Sequence, residues 1–457
     1  MINYDYIIIG SGQAGTPLAF SLSEKGKVAL IEKAKIGGTC LNNGCIPTKT
    51  YVASARRAWE SLHGEELGIE IPAGSKTNLK KVKARKDKLI NTSRDGIEKA
   101  ISDNKNITLY KAEAQFISNY EIQVNGKHIS SKNIFINVGA RAYIPEEYQS
   151  IPYFTNENIL ETTDLPEHLI IIGGSYIGLE FGQMFKRFGS KVTIVERAER
   201  LIAREDAEVS DTIAKILKAE GIELILNAKK TTISAKNDGG INLSINGNRP
   251  NTITGSHVLL AIGRVPNTDT LNLQNTSIKL SKKGYIEVND YCETNVEGIF
   301  ALGDCNGKGA FTHTSYNDFQ VVQSFISGEK NRKISDRIPT YGLFIDPPMG
   351  RVGMTKSEAI SQGYRILIAH RDMSQVGRAK EKGEVLGFME ALIDADTQQF
   401  LGACILGVGG DEIINGITNL MYAKAPYTIF RDAVHIHPTV SELIPTMLAD
   451  LQPIPKK

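Results

Sequence analysis

Tyr4-Asp5-Tyr6-Ile7-Ile8-Ile9-Gly10-Ser11-Gly12-Gln13-Ala14-Gly15 opens the chain with a short apolar run followed by three glycines in the order GxGxxG. The run reads as a strand, and the pattern from Gly15 through Glu24 reads as a helix. In that setting the first glycine makes a tight turn, the second lets a phosphate approach the backbone, and the helix N-terminus faces the phosphate charge. Lys27 to Ile31 read as the next strand. Glu32 ends it at about 20 residues past the glycines, where a carboxylate reaches ribose hydroxyls. The glycines alone are weak evidence; with Glu32 at that offset they specify a dinucleotide-binding fold.

A few residues further on, Gly37-Gly38-Thr39-Cys40-Leu41-Asn42-Asn43-Gly44-Cys45-Ile46-Pro47-Thr48-Lys49 places two thiols five positions apart, brackets them with glycines and adds a lysine. In a regular helix their Cα atoms would stand about 8.7 Å apart, beyond the roughly 4.4–6.8 Å that a disulfide accepts. A redox pair therefore requires irregular backbone, and Gly44 and Pro47 are expected to supply it. Two small buried hydrophobes, or half of a zinc site, are the competing readings.

The chain has 457 residues, too many for one core, so two to four domains are expected. Its 53 Lys and Arg nearly balance 51 Asp and Glu, a formal charge of +2 that argues against nucleic acid as a partner. Five cysteines with one close pair do not make a secreted disulfide framework, which points to a reducing cytoplasm. No apolar run approaches the roughly 18 residues of a membrane span, and no signal-type segment precedes Tyr4. Thr50 to Leu62 and Leu79 to Ser102 read as helices, Ile107 to Phe116 and Glu121 to Asn137 as strands.

Leu169 to Ile172 begin a second strand, turn and helix with Gly173-Gly174-Ser175-Tyr176-Ile177-Gly178-Leu179-Glu180. Ser175 replaces the middle glycine, but the next strand, Lys191 to Val195, again ends on an acid, Glu196. Two such folds imply two dinucleotides. An acid at Glu196 favours a free ribose 2′-hydroxyl, hence NADH over NADPH, against the opposing pull of Arg197, Arg200 and Arg204. Near the C-terminus, His435-Ile436-His437-Pro438-Thr439-Val440-Ser441-Glu442 sets an imidazole five residues before a carboxylate that can orient it, the arrangement of a general acid–base pair. His435 is expected to be structural, and the His437–Pro438 bond is a candidate cis peptide.

A nucleotide fold feeding directly into a thiol pair resembles the FAD-dependent pyridine nucleotide-disulfide oxidoreductases, which include lipoamide dehydrogenase, glutathione reductase and mercuric reductase; the resemblance runs essentially the whole length. It implies an α/β fold of two Rossmann-like domains, for FAD and NAD(P), plus a C-terminal α+β dimerisation domain, with boundaries at 1–145, 146–270, 271–337 and 338–457. It assigns Gly10, Gly12, Gly15, Glu32, Gly38 and Thr39 to FAD, with Cys45 facing the flavin, Cys40 exchanging with substrate, and Lys49 beside flavin N5. Gly139, in Asn137-Val138-Gly139-Ala140-Arg141, closes the first FAD half. The usual proline after Arg141 is absent, with Pro145 close by. Gly173, Gly178, Glu196 and Gly263 fall to NAD(P), and Glu180 reaches back to Lys49. Gly303 and Asp304, after Ile299-Phe300-Ala301-Leu302, form the second FAD fingerprint, and Thr312 and His313 fall near the flavin pyrimidine. Cys292, Cys305 and Cys404 are expected to be structural. His437 is the base and Glu442 its orienter, both acting on the partner subunit's thiols in a homodimer with shared active sites. No resident metal is implied.

The expected activity is transfer of electrons between nicotinamide, FAD and a Cys40–Cys45 disulfide to a thiol, disulfide or metal-ion substrate, as in mercuric reductase. The sequence ends without the vicinal C-terminal cysteines of mercuric reductases and lacks their N-terminal metal-binding module, and soft Hg(II) needs thiolates to hand it along. Lipoamide dehydrogenase and a reactive-chlorine-resistance flavoprotein are the alternatives. A non-catalytic redox sensor is a rival from another class, although a sensor has no need of Lys49, Glu180, His437 and Glu442.

Overall fold

The computed structural model describes residues 1–454 apart from 72, 73, 75, 237, 238 and 246–250. Ile7, Ile8 and Ile9 are all buried, because the strand Tyr6–Ile9 lies at the centre of a parallel sheet covered on both faces, which calls for an unbroken apolar run. The five strands of that sheet run Ile299–Ala301, Ile134–Ile136, Tyr6–Ile9, Val28–Ile31 and Ile107–Tyr110. Helix α1 (Gly15–Ser23) follows the first strand. The strand order reverses between Tyr6–Ile9 and Ile134–Ile136. A crevice opens at such a reversal, outside the C-terminal strand ends. The last strand of this sheet comes from almost 300 residues into the chain, so residues beyond the second nucleotide fold return to complete the first.

A second parallel sheet repeats the plan with Glu223–Ile225, Lys191–Val195, His168–Ile172 and His257–Leu260. Its order reverses between the last two strands. A third, six-stranded antiparallel sheet fills the C-terminal region, where Phe388–Asp394 pairs with Phe400–Leu406, both wholly buried. Residues 388–406 thus form a hairpin.

Between the sheets run α2 (Gly38–Asn42), α3 (Cys45–Glu60) and α4 (Leu79–Asp103). The break between α2 and α3 falls at Gly44, with φ −126° and ψ −118°, a combination outside helical and strand geometry. Pro47, by contrast, contributes nothing to the irregularity. It sits in the first turn of α3, where its missing N–H has no helical acceptor to lose. The region from 107 to 137 is more finely divided than the apolar pattern suggests. It forms five short strands, with the turn at Asn125 and Gly126 in left-handed geometry, the conformation those two residue types tolerate best.

One apolar core joins the second nucleotide fold to the other parts of the chain. Tyr51 and Ala55 of α3 and Leu79 of α4 pack with Leu179 and Phe185 of α5 (Tyr176–Phe188), and with Leu343, Met349 and Phe388 of the C-terminal sheet. Polar ties reinforce it: Arg187 pairs with Glu220 at 2.7 Å and Asp346 at 2.6 Å, while Arg351 and Glu205, both fully buried, pair at 2.6 Å. The buried Cys292, Cys305 and Cys404 lie in these cores, where burial holds each thiol above its ordinary value.

Candidate active site

The crevices of both parallel sheets open into one cavity of about 1650 Å³, with the α2–α3 break on its wall. It exceeds the roughly 300–1,000 Å³ of a site for one drug-sized ligand. Cys40, Cys45, Lys49 and Glu180 line it, with Gly10, Gly12, Glu32, Gly38, Thr39, Gly139 and Asp304 towards the first sheet and Gly173, Glu196 and Gly263 towards the second. Gly15, Gly178 and Gly303 stand behind the lining, and His437 and Glu442 lie outside it.

The thiols are free and hydrogen-bonded to each other, and this bond splits their acidities. As the acceptor, Cys45 is lowered to about 6 by the Cys40 hydrogen bond, with further help from Thr312 and the Lys49 charge against the opposing effect of burial. Cys40, as the donor, is pushed up. Thiolate character therefore concentrates on Cys45. Lys49 Nζ lies 2.7 Å from Glu180 Oε2 and 4.4 Å from the Phe344 ring centroid, and the backbone N–H of Phe344 donates to Glu180 Oε1 at 3.0 Å. Glu180 is therefore a buried, fully engaged carboxylate rather than an exposed helix residue.

The strand-end acids play a double part. Glu32 accepts from Ser11 N at 3.0 Å, Ser11 Oγ at 2.7 Å and Ala34 N at 2.8 Å. Glu196 accepts from Gly174 N at 2.6 Å and Ala198 N at 2.8 Å. Each carboxylate ties the glycine turn to the end of the second strand while presenting an edge to the cavity. The first fingerprint's glycines serve packing as well: a Cβ on Gly10 would lie 2.2 Å from the Asn137 carbonyl, and one on Gly12 2.8 Å from Asn137 Oδ1. Asn137 also accepts from Gly15 N at 2.9 Å and donates to the Leu302 carbonyl at 2.8 Å, stitching the two halves of the first fold together. Sequence reasoning missed that role, whose one trace is an asparagine where a strand leaves an apolar run. Asp304 faces Arg264 at 3.2 Å, with its carboxyl raised by burial.

His437 Nδ1 lies 3.0 and 2.9 Å from the two oxygens of Glu442, and the following peptide bond to Pro438 is cis. The imidazole is 82 % exposed, beside the bare side chains of Val434 and Ile436. The oriented imidazole thus stands on the surface next to exposed apolar side chains.

Residues 4–319 match the family model described as pyridine nucleotide-disulphide oxidoreductase, and residues 339–448 match that family's dimerisation domain. The chain belongs to the pyridine nucleotide-disulfide oxidoreductase family. It is 35 % identical over 97 % of its length to the probable pyridine nucleotide-disulfide oxidoreductase RclA of Escherichia coli K12, covering 98 % of that protein. It is 32 % identical to the mercuric reductase of Lysinibacillus sphaericus, covering 90 % of this chain and 76 % of the relative. With the dihydrolipoyl dehydrogenase of Chlamydia muridarum the figures are 30 % identity, 96 % and 95 %. A solved structure described as the Cu(II) complex of the HOCl-induced flavoprotein disulfide reductase RclA from Escherichia coli superposes with a TM-score of 0.88 at 34 % identity, over 97 % of this chain and 99 % of that one.

The protein is thus an FAD-dependent pyridine nucleotide-disulfide oxidoreductase with the family's dimerisation domain, and among the described residues no helix is long and apolar enough to cross a membrane. The cavity fits the cofactor. Gly139 holds φ +67° with nothing within 4 Å of a would-be Cβ, and two buried polar atoms on the wall, Asn43 Oδ1 and the Tyr176 hydroxyl, have no protein partner.

Proposed function

We propose that the chain is an NADH-driven reductase in which Cys40 and Cys45 form the working redox couple and the terminal acceptor is a thiol-reactive oxidant, with a reducible metal ion such as Cu(II) the first to test. FAD, when bound, supplies the two-electron relay between the nicotinamide hydride and the disulfide. Gly10, Gly12, Glu32, Gly38, Thr39, Gly139, Gly303 and Asp304 would hold it; Gly173, Gly178, Glu196 and Gly263 would hold the nicotinamide dinucleotide. Lys49, fixed by Glu180 and Phe344, keeps a cation beside the sulfurs. On reduction, two electrons break the Cys40–Cys45 bond, leaving the charge on Cys45 and the proton on Cys40. Cys40 is then the sulfur free to engage the substrate, and His437, oriented by Glu442, takes up or returns its proton in the partner subunit of a homodimer. The site works on thiols, in keeping with a reducing cytoplasm.

The observation that carries this reading is the unequal thiol pair on the wall of a cavity that joins two nucleotide crevices. A metal-ion acceptor is favoured by the end-to-end match to RclA, whose solved complex is described as holding Cu(II). Glu196 on the cavity wall supports NADH, and Arg204 is engaged over the Tyr176 ring at 4.9 Å rather than held out for a 2′-phosphate. The His437–Glu442 pair also suits dihydrolipoamide, the second reading. The test is anaerobic NADH oxidation by the purified flavoprotein with Cu(II), Hg(II), glutathione disulfide or quinones, together with NAD reduction by dihydrolipoamide. Cu(II)-dependent turnover that Cys45→Ser abolishes is expected; turnover that survives Cys45→Ser would refute it.

A further inference from the structure

We propose that Thr312 is a catalytic hydrogen-bond donor whose hydroxyl holds the reduced Cys45 as thiolate; this rests on reading Cys40 and Cys45 as the redox couple. Thr312 Oγ1 lies 3.1 Å from Cys45 Sγ, a contact between residues 267 positions apart. Cys45 is the first residue of the 16-residue α3, and Thr312 is the first of the 15-residue α6 (Thr312–Ile326). The positive ends of two helices therefore meet at one sulfur, and negative charge there is favoured by both.

The hydroxyl is held in place by its neighbours. Thr314 Oγ1 accepts from Phe311 N at 3.2 Å and donates to the Phe311 carbonyl at 2.7 Å, so the local backbone groups are served without Thr312. His313 turns to the Thr340 carbonyl, 2.7 Å from Nε2, and stacks on Phe311, which in turn stacks on Tyr341. These contacts fix the first turn of α6 and leave one hydroxyl aimed at Cys45.

Three ionisable groups also act on that sulfur: Cys40 and Lys49 favour the thiolate, while Glu180 opposes it. A neutral donor at 3.1 Å adds to the first two without adding charge. A hydroxyl can donate to a thiolate and accept from a thiol, so Thr312 keeps its contact in both protonation states of the reduced Cys45 while favouring the charged one.

The test is an anaerobic pH titration of the long-wavelength thiolate-to-flavin absorbance in holoprotein reduced by two electrons, comparing the parent with Thr312→Val and Thr312→Ser. The valine should move the midpoint up by about one pH unit, a tenfold fall in the thiolate-to-thiol ratio at constant pH, and the serine should return it close to the parent. An unchanged midpoint in Thr312→Val, with an absorbance that Cys45→Ser removes, would overturn this proposal alone. An absorbance that persists in Cys45→Ser would overturn the assignment of the couple as well.

Discussion

Replacing Glu180 with Gln keeps the shape of a buried side chain and removes the charge that holds Lys49. The carboxylate meets Lys49 Nζ at 2.7 Å and the Phe344 N–H at 3.0 Å. A glutamine carbonyl can retain the second contact, so the loss falls on the first. A hydrogen bond between charged groups contributes about 1.5–3 kcal/mol; because the lysine end is 32 % exposed, solvent screening puts the expected loss at the lower end of that range. At about 1.4 kcal/mol per tenfold, the rate constant for reduction of the holoprotein by NADH should fall roughly 10- to 30-fold. Lys49→Met cuts the same contact, so the double variant should be little slower than the slower single one. Stopped-flow absorbance under nitrogen measures all four proteins, with urea midpoints as a control on folding. Fold-losses that multiply, with a coupling below about 0.5 kcal/mol, would refute the claim that Glu180 acts through Lys49.

Because its acidity is raised to that of a group titrating at about 6, Cys45 is thiolate above that pH and becomes neutral as the pH falls through it. The thiolate absorbance of the reduced protein should therefore be half lost near pH 6; a midpoint near 9 would show an unperturbed thiol. Substituting His437 with Ala should lower turnover with an acceptor by about 100-fold or more while leaving reduction by NADH unchanged, as measured by separate half-reactions. If the sites are shared, mixing Cys45→Ser and His437→Ala subunits creates hybrid dimers with one intact site, and about one quarter of parental activity should return; independent sites would give none. Glu205→Gln leaves the buried Arg351 guanidinium with only the Asp206 carboxylate, 4.0 Å away, as counter-charge and should cost about 3 kcal/mol in urea unfolding, most of it recovered by pairing Arg351→Met with Glu205→Leu.

The glycine turns, the strand-end acids, the thiol pair and the His437–Glu442 spacing were legible because each is local: turn geometry, helix ends and short offsets are written in consecutive residues. The two parallel sheets followed from the same logic. What stayed hidden depends on residues far apart in the chain. Asn137 ties Gly15 to Leu302, and Thr312 reaches Cys45, through packing that no periodicity announces. Pro47 was misread because proline breaks a helix interior but suits a first turn, and the start of α3 at Cys45 was not evident from the pattern. The strands between 107 and 137 were merged because their turns are too short to interrupt an apolar pattern. Lys49 and Glu180, 131 positions apart, were paired only through the family resemblance, and their 2.7 Å contact supplies the physical reason.

The account turns on electrons reaching a sulfur couple at Cys40 and Cys45, and counting those electrons tests it most directly. Anaerobic reductive titration of the purified holoprotein should consume about four electrons per flavin, two for each centre, with a long-wavelength thiolate-to-flavin band rising over the first two, while the flavin is still oxidised, and lost over the next two. The Cys45→Ser protein should stop at about two, without the band. A parent protein that also stops at two would contradict it.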